Sequence, residues 1–435
     1  MTEGARTDQP ATPLVVRTTA LDAARLAALV ELLPPPAVAP SLAWLRRGEG
    51  LVGWGVVAST RTAGPDRFAD ADAWWAATAA RAVVRDEVGE PGSGLVCFGS
   101  LAFADSQPAD GPGGSTLVVP EVVVGRRGDV AWVTTISSAG PAPATPAPGP
   151  TEAPSAPRGL RYADGHRNAD EWMTVVADAV ARITAGGLEK VVLARDVVAT
   201  ADAAIDVRWP LRRLATTYPT CWTFHVDGFL GATPELLVRR ERGLVTSRVL
   251  AGTIRRTGDD ARDLMLAATL ARSSKDLEEH EYAVRSVGVA LGPHCSSMNV
   301  PEAPFVLHLP NVMHLATDVT GVVAGAADGA DAVSSLALAA SLHPSAAVGG
   351  HPTDLAVALI EEIEGMPRGR YAGPVGWMDA TGDGEWGIGL RSASVEGDSV
   401  RLFAGCGIVA DSVPESELAE SNAKLVPVRD ALEPG

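Results

Sequence analysis

Hydrophobic and polar positions along the chain follow two periods, and runs with the strand period dominate the first third. GLVGWGVVAS, GLVCFGSLAF, STLVVPEVVVG and DVAWVTTI each read as a strand-like piece. A helical stretch, DAWWAATAARAVVRDEV, stands between the first two. Farther on, Trp172, Val175, Val176, Ala179 and Ile183 recur at helical spacing, which predicts a helix over 169–185 ended by Gly186 and Gly187. LEKVVLARDVVAT then reads as a strand, and its apolar run VVL suggests burial on both faces. Further strands are predicted at CWTFHVDG, ELLVRRE, LVTSRVLAGT, YAGPVGWMDA, WGIGLRSASV and VRLFAGCGIVA. Helices are predicted across 261–291, through ADAVSSLALAASL, and over 353–364. Mixed elements with many hairpin-like neighbours give an α/β or α+β class built on a large, mostly antiparallel sheet.

Composition narrows the function classes. With 46% hydrophobic and 20% charged residues, the chain can bury a substantial core. No apolar run approaches the roughly eighteen residues of a membrane span. The start, MTEGARTDQPATPLVV, lacks the basic-then-apolar order of a signal peptide. Cys97, Cys221, Cys295 and Cys406 form no CxxC pair, which suits a reducing cytoplasm. A net charge of −17 argues against a nucleic-acid partner, although local cations can still receive a small anion.

The one low-complexity segment is AGPAPATPAPGPTEAPSAPR, 139–158, an extended Pro/Ala-rich connector. It divides the chain into 1–138 and 159–435, and nearly all candidate chemistry lies in the second part. Because the first part shows no separate core of its own, the connector is read as a surface loop within one domain.

Several motifs have bland readings that prevail. GDGEWG at 382–387 matches G-x-G-x-x-G, but a strand follows where a phosphate site needs a helix, so it reads as a hairpin turn. His294 beside Cys295 has no second ligand pair at zinc spacing. Two residues stay open. Lys190, at the entry of an apolar strand, is either a snorkelling strand-end cation or a partly desolvated general base. Glu235, after a Thr-Pro corner, is either an edge charge or an acid with a raised pKa.

The stretch SSKDLEEHEYAVRS, 273–286, crowds its carboxylates. At about 100° per residue, Ala283, Val284, Val287, Ala290 and Leu291 form an apolar arc that includes His280. Glu278 and Glu281 lie opposite it, on a solvated face. Asp276 falls within the core-facing arc and Glu279 on its border, where two carboxylates repel unless a cation intervenes. PESELAESNAKL repeats the device, with Glu417 and Glu420 three residues apart and Lys424 one turn on. Two such faces suit Mg²⁺, which takes few carboxylates and accepts an anionic ligand.

Ten motifs in order resemble the chorismate-utilising enzymes: KVVLAR, GATPELL, LAGTIRR, SSKDLEEH, VMHLATDV, SLHPSAAVGGHP, RYAGPVGW, GLRSA, LFAGCGIV and ESNAKL. Within that family the chain most resembles isochorismate synthases of the menaquinone and siderophore pathways, over about 170–425. The resemblance implies one large α/β domain of two packed, mostly antiparallel sheets flanked by helices. It implies that Lys190 activates water as general base and Glu235 protonates the departing hydroxyl as general acid. It implies Mg²⁺ held by Glu279 and Glu420, supported by Glu417. It assigns the carboxypyruvyl end of the substrate to Arg391, Tyr371, Gly405 and Lys424, with Gly252, His314 and Val348 lining the pocket. Gly405 and Gly407 would let backbone amides approach an anion. The family expectation is a monomer acting on chorismate, with no obligate protein partner.

Within the family, anthranilate synthases usually lack the lysine at position 190 and carry an LLES-type motif, which is not found here. Both amine-transferring types, aminodeoxychorismate synthases included, depend on a glutaminase for which this chain shows no nucleophile elbow. Salicylate synthases share the catalytic set and then eliminate pyruvate. The aliphatic Val348, where they tend to carry a hydroxyl residue, favours isochorismate as the released product. A non-catalytic binding protein of the same fold would have lost Lys190, Glu235, Glu279 or Glu420, and all four are present.

Overall fold

The computed structural model describes residues 12–111, 113–138, 149–308, 312–325 and 332–434, without the side chains of Thr253, Lys275 and Glu279. Residues 139–148 of the Pro/Ala-rich segment therefore lie outside it. The architecture is mixed α/β, with two large sheets that are antiparallel apart from one strand pair among the described residues. Eight α-helices flank them in that described set. Both sheets combine strands from either side of the Pro/Ala-rich segment. In the larger, Ser41–Arg46 pairs with Trp222–Val226. In the smaller, Val96–Ser100 pairs with Pro374–Asp379. Trp44, Trp132 and Trp222 of the larger sheet and Phe98 and Trp377 of the smaller share one buried cluster. That aromatic layer removes a large apolar area from water.

The longest periodic elements form where their patterns place them. The helix Ala169–Ala185 starts with a capping box, Asn168 and Glu171 bonding each other's backbone amides, and ends at Gly186 with φ 98°. Its buried Trp172 donates Nε1–H to the Ala194 carbonyl at 3.1 Å, seating the helix on Lys190–Thr200. That strand is buried along most of its length and pairs with Ser399–Ile408. The GDGEWG motif spans the end of the turn after Pro374–Asp379 and the strand Gly384–Ile388, with Asp383 paired to Arg240 at 2.8 Å.

Six stretches depart from the pattern reading. GLVGWGVVAS is two strands, Glu49–Trp54 in the larger sheet and Ala58–Thr62 at the edge of the smaller. STLVVPEVVVG breaks at Pro120 into Ser115–Val119 and Val122–Arg127, again in different sheets. WGIGLRSASV crosses likewise, from Gly384–Ile388 in the smaller sheet to Ser392–Glu396 in the larger. A chain that changes sheets keeps both halves apolar, so hydrophobicity alone does not reveal the corner. The predicted helix DAWWAATAARAVVRDEV stops at Ala79, and Val83–Asp86 instead pairs in parallel with Val15–Leu21. The region 261–291 is interrupted: Asp260–Leu270 ends and Ser273 caps a new helix, Ser274–Leu291, its side chain accepting from the Asp276 amide. The ADAVSSLALAASL helix is only Ser335–Ser341 among the described residues.

Candidate active site

One cleft of about 460 Å³ gathers twelve of the thirteen residues singled out from the sequence. Lys190, Glu235, Gly252, His314, Val348, Tyr371, Arg391, Gly405, Gly407, Glu417, Glu420 and Lys424 all line it. The thirteenth, Glu279, lies on the Ser274–Leu291 helix, and its side chain is outside the described residues. Asp276 of the same helix, given no role by the sequence, also lines the cleft.

The floor is made where two neighbouring chain segments change sheets. Phe229–Thr233 belongs to the larger sheet and Leu236–Glu241 to the smaller, so Pro234 and Glu235 form the crossing. Gly389, Leu390 and Arg391 form the next crossing. The two are tied by backbone bonds: Ile388 N–H donates to the Glu235 carbonyl at 3.1 Å, and Ala232 N–H to the Arg391 carbonyl at 3.2 Å. Arg391 takes φ 49°, an unusual backbone for a residue with a Cβ, held by that pairing. A carboxylate and a guanidinium are thereby set side by side.

Glu235 opens partly onto the cleft but is shielded from bulk water. Lost hydration pushes its carboxyl up to about 7, against the pull of Arg391, Lys424 and Lys190. His314 moves the other way, to about 3, through burial and then the charges of Arg391 and Lys424. It is a neutral wall residue. Burial likewise drives the Tyr371 phenol upward, so it stays protonated while its ring stacks on Phe403 at 5.2 Å.

The glycines have a reason beyond open backbone amides. A Cβ on Gly407 would lie 2.8 Å from Lys190 Cε, and one on Gly405 would lie 2.9 Å from the Tyr371 hydroxyl. Strand Ser399–Ile408 is stripped of side chains where those two groups cross it. Gly252 interrupts the register of Leu244–Arg255 against Val312–Val323 at φ 72°, and a Cβ there would meet Asp276 Cβ at 3.1 Å. The bulge brings the helix Ser274–Leu291 close to the strand.

The other end of the cleft is helical. On Pro414–Leu432, Glu420 pairs with Lys424 at 2.6 Å, and Lys424 also donates to the Gly405 carbonyl at 2.9 Å. Among the described residues one metal-capable group appears, Cys406, Glu417 and Glu420, with ligand atoms within 4.8 Å of one another. Burial pushes the Cys406 thiol up to about 12, so it remains a protonated, soft group. The two carboxylates are the donors that fit a hard cation such as Mg²⁺.

The family described as "Chorismate binding enzyme" matches residues 10–146 and 148–433. The chain belongs to this family. Isochorismate synthase MenF of Bacillus subtilis is 37% identical over 267 residues, covering 60% of this chain and 55% of that protein. Isochorismate synthase DhbC of the same organism is 40% identical over 267 residues, 59% of this chain and 66% of that protein. The matched stretches thus span about half to two thirds of these relatives' lengths. The structure of MenF, the menaquinone-specific isochorismate synthase from Escherichia coli, superposes with a TM-score of 0.77 at 25% identity, covering 98% of this chain and 97% of that one.

Two buried groups of this chorismate-binding enzyme escaped the sequence reading. Arg368, 4% exposed, bonds Glu364 twice, at 2.7 and 2.6 Å, and the Val348 and Val192 carbonyls at 2.9 and 2.6 Å. Glu364 in turn accepts from Ala194 N–H at 2.8 Å. Arg368 lines the cleft, yet these bonds direct it to the wall around Val348. PRGR beside YAGPVGW was the available signal, since an arginine there meets a glutamate one helical turn earlier.

Proposed function

We propose that this chorismate-binding enzyme is an isochorismate synthase. It isomerises chorismate by adding water at C2 and releasing the C4 hydroxyl. Lys190 takes a proton from water as oxygen bonds to C2. The C1–C2 electron pair shifts to C6–C1, the C5–C6 pair shifts to C4–C5, and the C4–O bond breaks. Glu235 supplies the proton with which the hydroxyl leaves as water. The observation that carries this reading is Glu235, held up at about 7 in the cleft that also holds Lys190. A carboxyl still about half protonated at neutral pH can donate, where an ordinary one is almost wholly ionised.

Glu417 and Glu420 fit Mg²⁺, with Glu279 proposed as the ligand from the facing helix. When bound, Mg²⁺ neutralises the ring carboxylate. Arg391, with a planar fork matched to carboxylate geometry, is proposed to grip the carboxypyruvyl end beside Tyr371, Gly405 and Lys424. Buried, aliphatic Val348 offers no hydroxyl to the substrate, which supports release of isochorismate over elimination of pyruvate.

The test is incubation of the full chain with chorismate and Mg²⁺, followed by product identification. Isochorismate without pyruvate is expected. Salicylate with stoichiometric pyruvate would assign a salicylate synthase, and no turnover in folded protein would leave a binding protein.

A further inference from the structure

KVVLAR and ESNAKL both contain residues that the cleft leaves unused, and the structure joins them. Arg195 lies on the strand Lys190–Thr200, outside the cleft lining, and is 5% exposed. Its Nη1 donates to Asn422 Oδ1 at 2.8 Å and to Ser421 Oγ at 3.3 Å. Ser421 in turn donates to the Leu418 carbonyl at 2.8 Å. Among the described residues no carboxylate hydrogen-bonds Arg195, and burial lowers its pKa despite the more distant charges of Asp164 and Asp196. A buried guanidinium spent on a neutral amide is costly in lost hydration, and an apolar side chain would pack there more cheaply.

The helix wheel shows what that contact controls. At about 100° per residue, Glu417, Glu420 and Lys424 occupy the edge of Pro414–Leu432 that lines the cleft. Ser421, Leu425 and Val428 form the adjoining buried face, and Asn422 lies at its far edge. A grip on Ser421 and Asn422 resists rotation about the helix axis, alongside the packing of Leu425 and Val428. Of the helix's other hydrogen bonds, Cys406 Sγ to the Glu417 carbonyl at 3.3 Å and Lys424 to the Gly405 carbonyl lie on the cleft side, and Arg213 Nη2 to the Asp430 carbonyl at 3.1 Å lies near its carboxyl end. Lys424 would also be disturbed by any cation that competes for Glu420.

We propose that Arg195 is a positioning residue for the magnesium carboxylates, setting the rotation of the helix that carries Glu417 and Glu420 through Asn422 and Ser421. This rests on the magnesium reading above. It connects the strand that bears the base to the helix that bears the metal ligands.

The test is Mg²⁺ titrated calorimetrically into the full chain, alongside the Mg²⁺ dependence of turnover. Arg195→Met and Asn422→Ala should each weaken Mg²⁺ binding about ten-fold or more, the scale seen when a ligand's supporting partner is removed. The double variant should be no worse than either single one, because both remove the same contact. At saturating Mg²⁺ the kcat should return to within about three-fold of the parent, since no group touching substrate has changed. Arg195→Lys, which can reach one acceptor, should recover part of the affinity. Asn422 is exposed, so Asn422→Ala keeps the test open if Arg195→Met does not fold. Glu420→Gln separates the two readings. If it leaves Mg²⁺ binding unchanged, the magnesium assignment fails. If it weakens binding while Asn422→Ala does not, or if the two penalties multiply in the double variant, the positioning role is overturned.

Discussion

Glu235 and Glu420 are both carboxylates of one cleft, but they are held by different means. Glu235 stands on a chain crossing whose backbone is bonded to the neighbouring crossing, so both ends of its residue are fixed by the two sheets. Glu420 projects from an exposed position on a helix and is held by a lysine one turn away. The first is dehydrated and its pKa moves. The second keeps a cation at hand that a metal can displace. Rigid desolvation suits the proposed general acid, which holds a proton until the transition state, and adjustable pairing suits the proposed Mg²⁺ ligand, which binds and releases an ion.

Variants can separate the two ends of the cleft, starting with the largest effect. Glu235→Gln should lower kcat by about 10³-fold, the scale of a lost general acid, and no Mg²⁺ concentration should restore it. Single-turnover product formation at neutral pH measures this. Gly407→Ala should cost about 10²-fold in kcat by displacing the Lys190 stem, with little change in Mg²⁺ affinity. Glu420→Gln should weaken Mg²⁺ about ten- to a hundred-fold and be largely rescued at high Mg²⁺. If Mg²⁺ rescued Glu235→Gln as well, the contrast between the two ends would collapse.

The smallest expected effect is thermodynamic. Glu235 rises from an ordinary value of 4.5 to about 7 on folding. Between those values the unfolded chain has lost a proton that the folded chain keeps, so stability falls as pH rises through the window. Below pH 4.5 the group contributes no penalty; above about 7 the penalty is complete. At 1.36 kcal/mol per unit the shift is worth at most about 3 kcal/mol, and access to the cleft lowers the expectation to about 1–2 kcal/mol. Melting of the parent should therefore drop from pH 5 to pH 8 relative to Glu235→Gln, which lacks the buried charge. Parallel melting curves at both pH values would count against the raised carboxyl. Activity should fall above pH 7 for the same reason.

Long periodic elements and the motif residues were legible in the sequence because each rests on a local signal. The capping box at Asn168 and the apolar run after Lys190 are of that kind. The chain crossings were not. Leu236–Glu241 and Ser392–Glu396 look like ordinary strands, and nothing local in PELL or GLRSA states that their predecessors belong to another sheet. The cleft depends on those crossings, so its residues could be named before their arrangement could be derived. Arg195 was hidden for another reason: its partner, Asn422, is remote in sequence, whereas Arg368 had a local sign in Glu364 that went unused. The parallel pairing of Val83–Asp86 was missed because its partner strand at the amino end had not been recognised.

The interleaved sheets also bear on how the chain can be cut. Removing 1–138 would strip Ser41–Arg46 from Trp222–Val226 and Val96–Ser100 from Pro374–Asp379. Each loss would bare one edge of a buried strand, leaving unsatisfied backbone groups as a ready template for another chain. The residues lining the candidate cleft all lie in the carboxyl-terminal part, yet that part expressed alone should aggregate. Supplied together, the two fragments should instead reassemble by strand complementation and regain turnover.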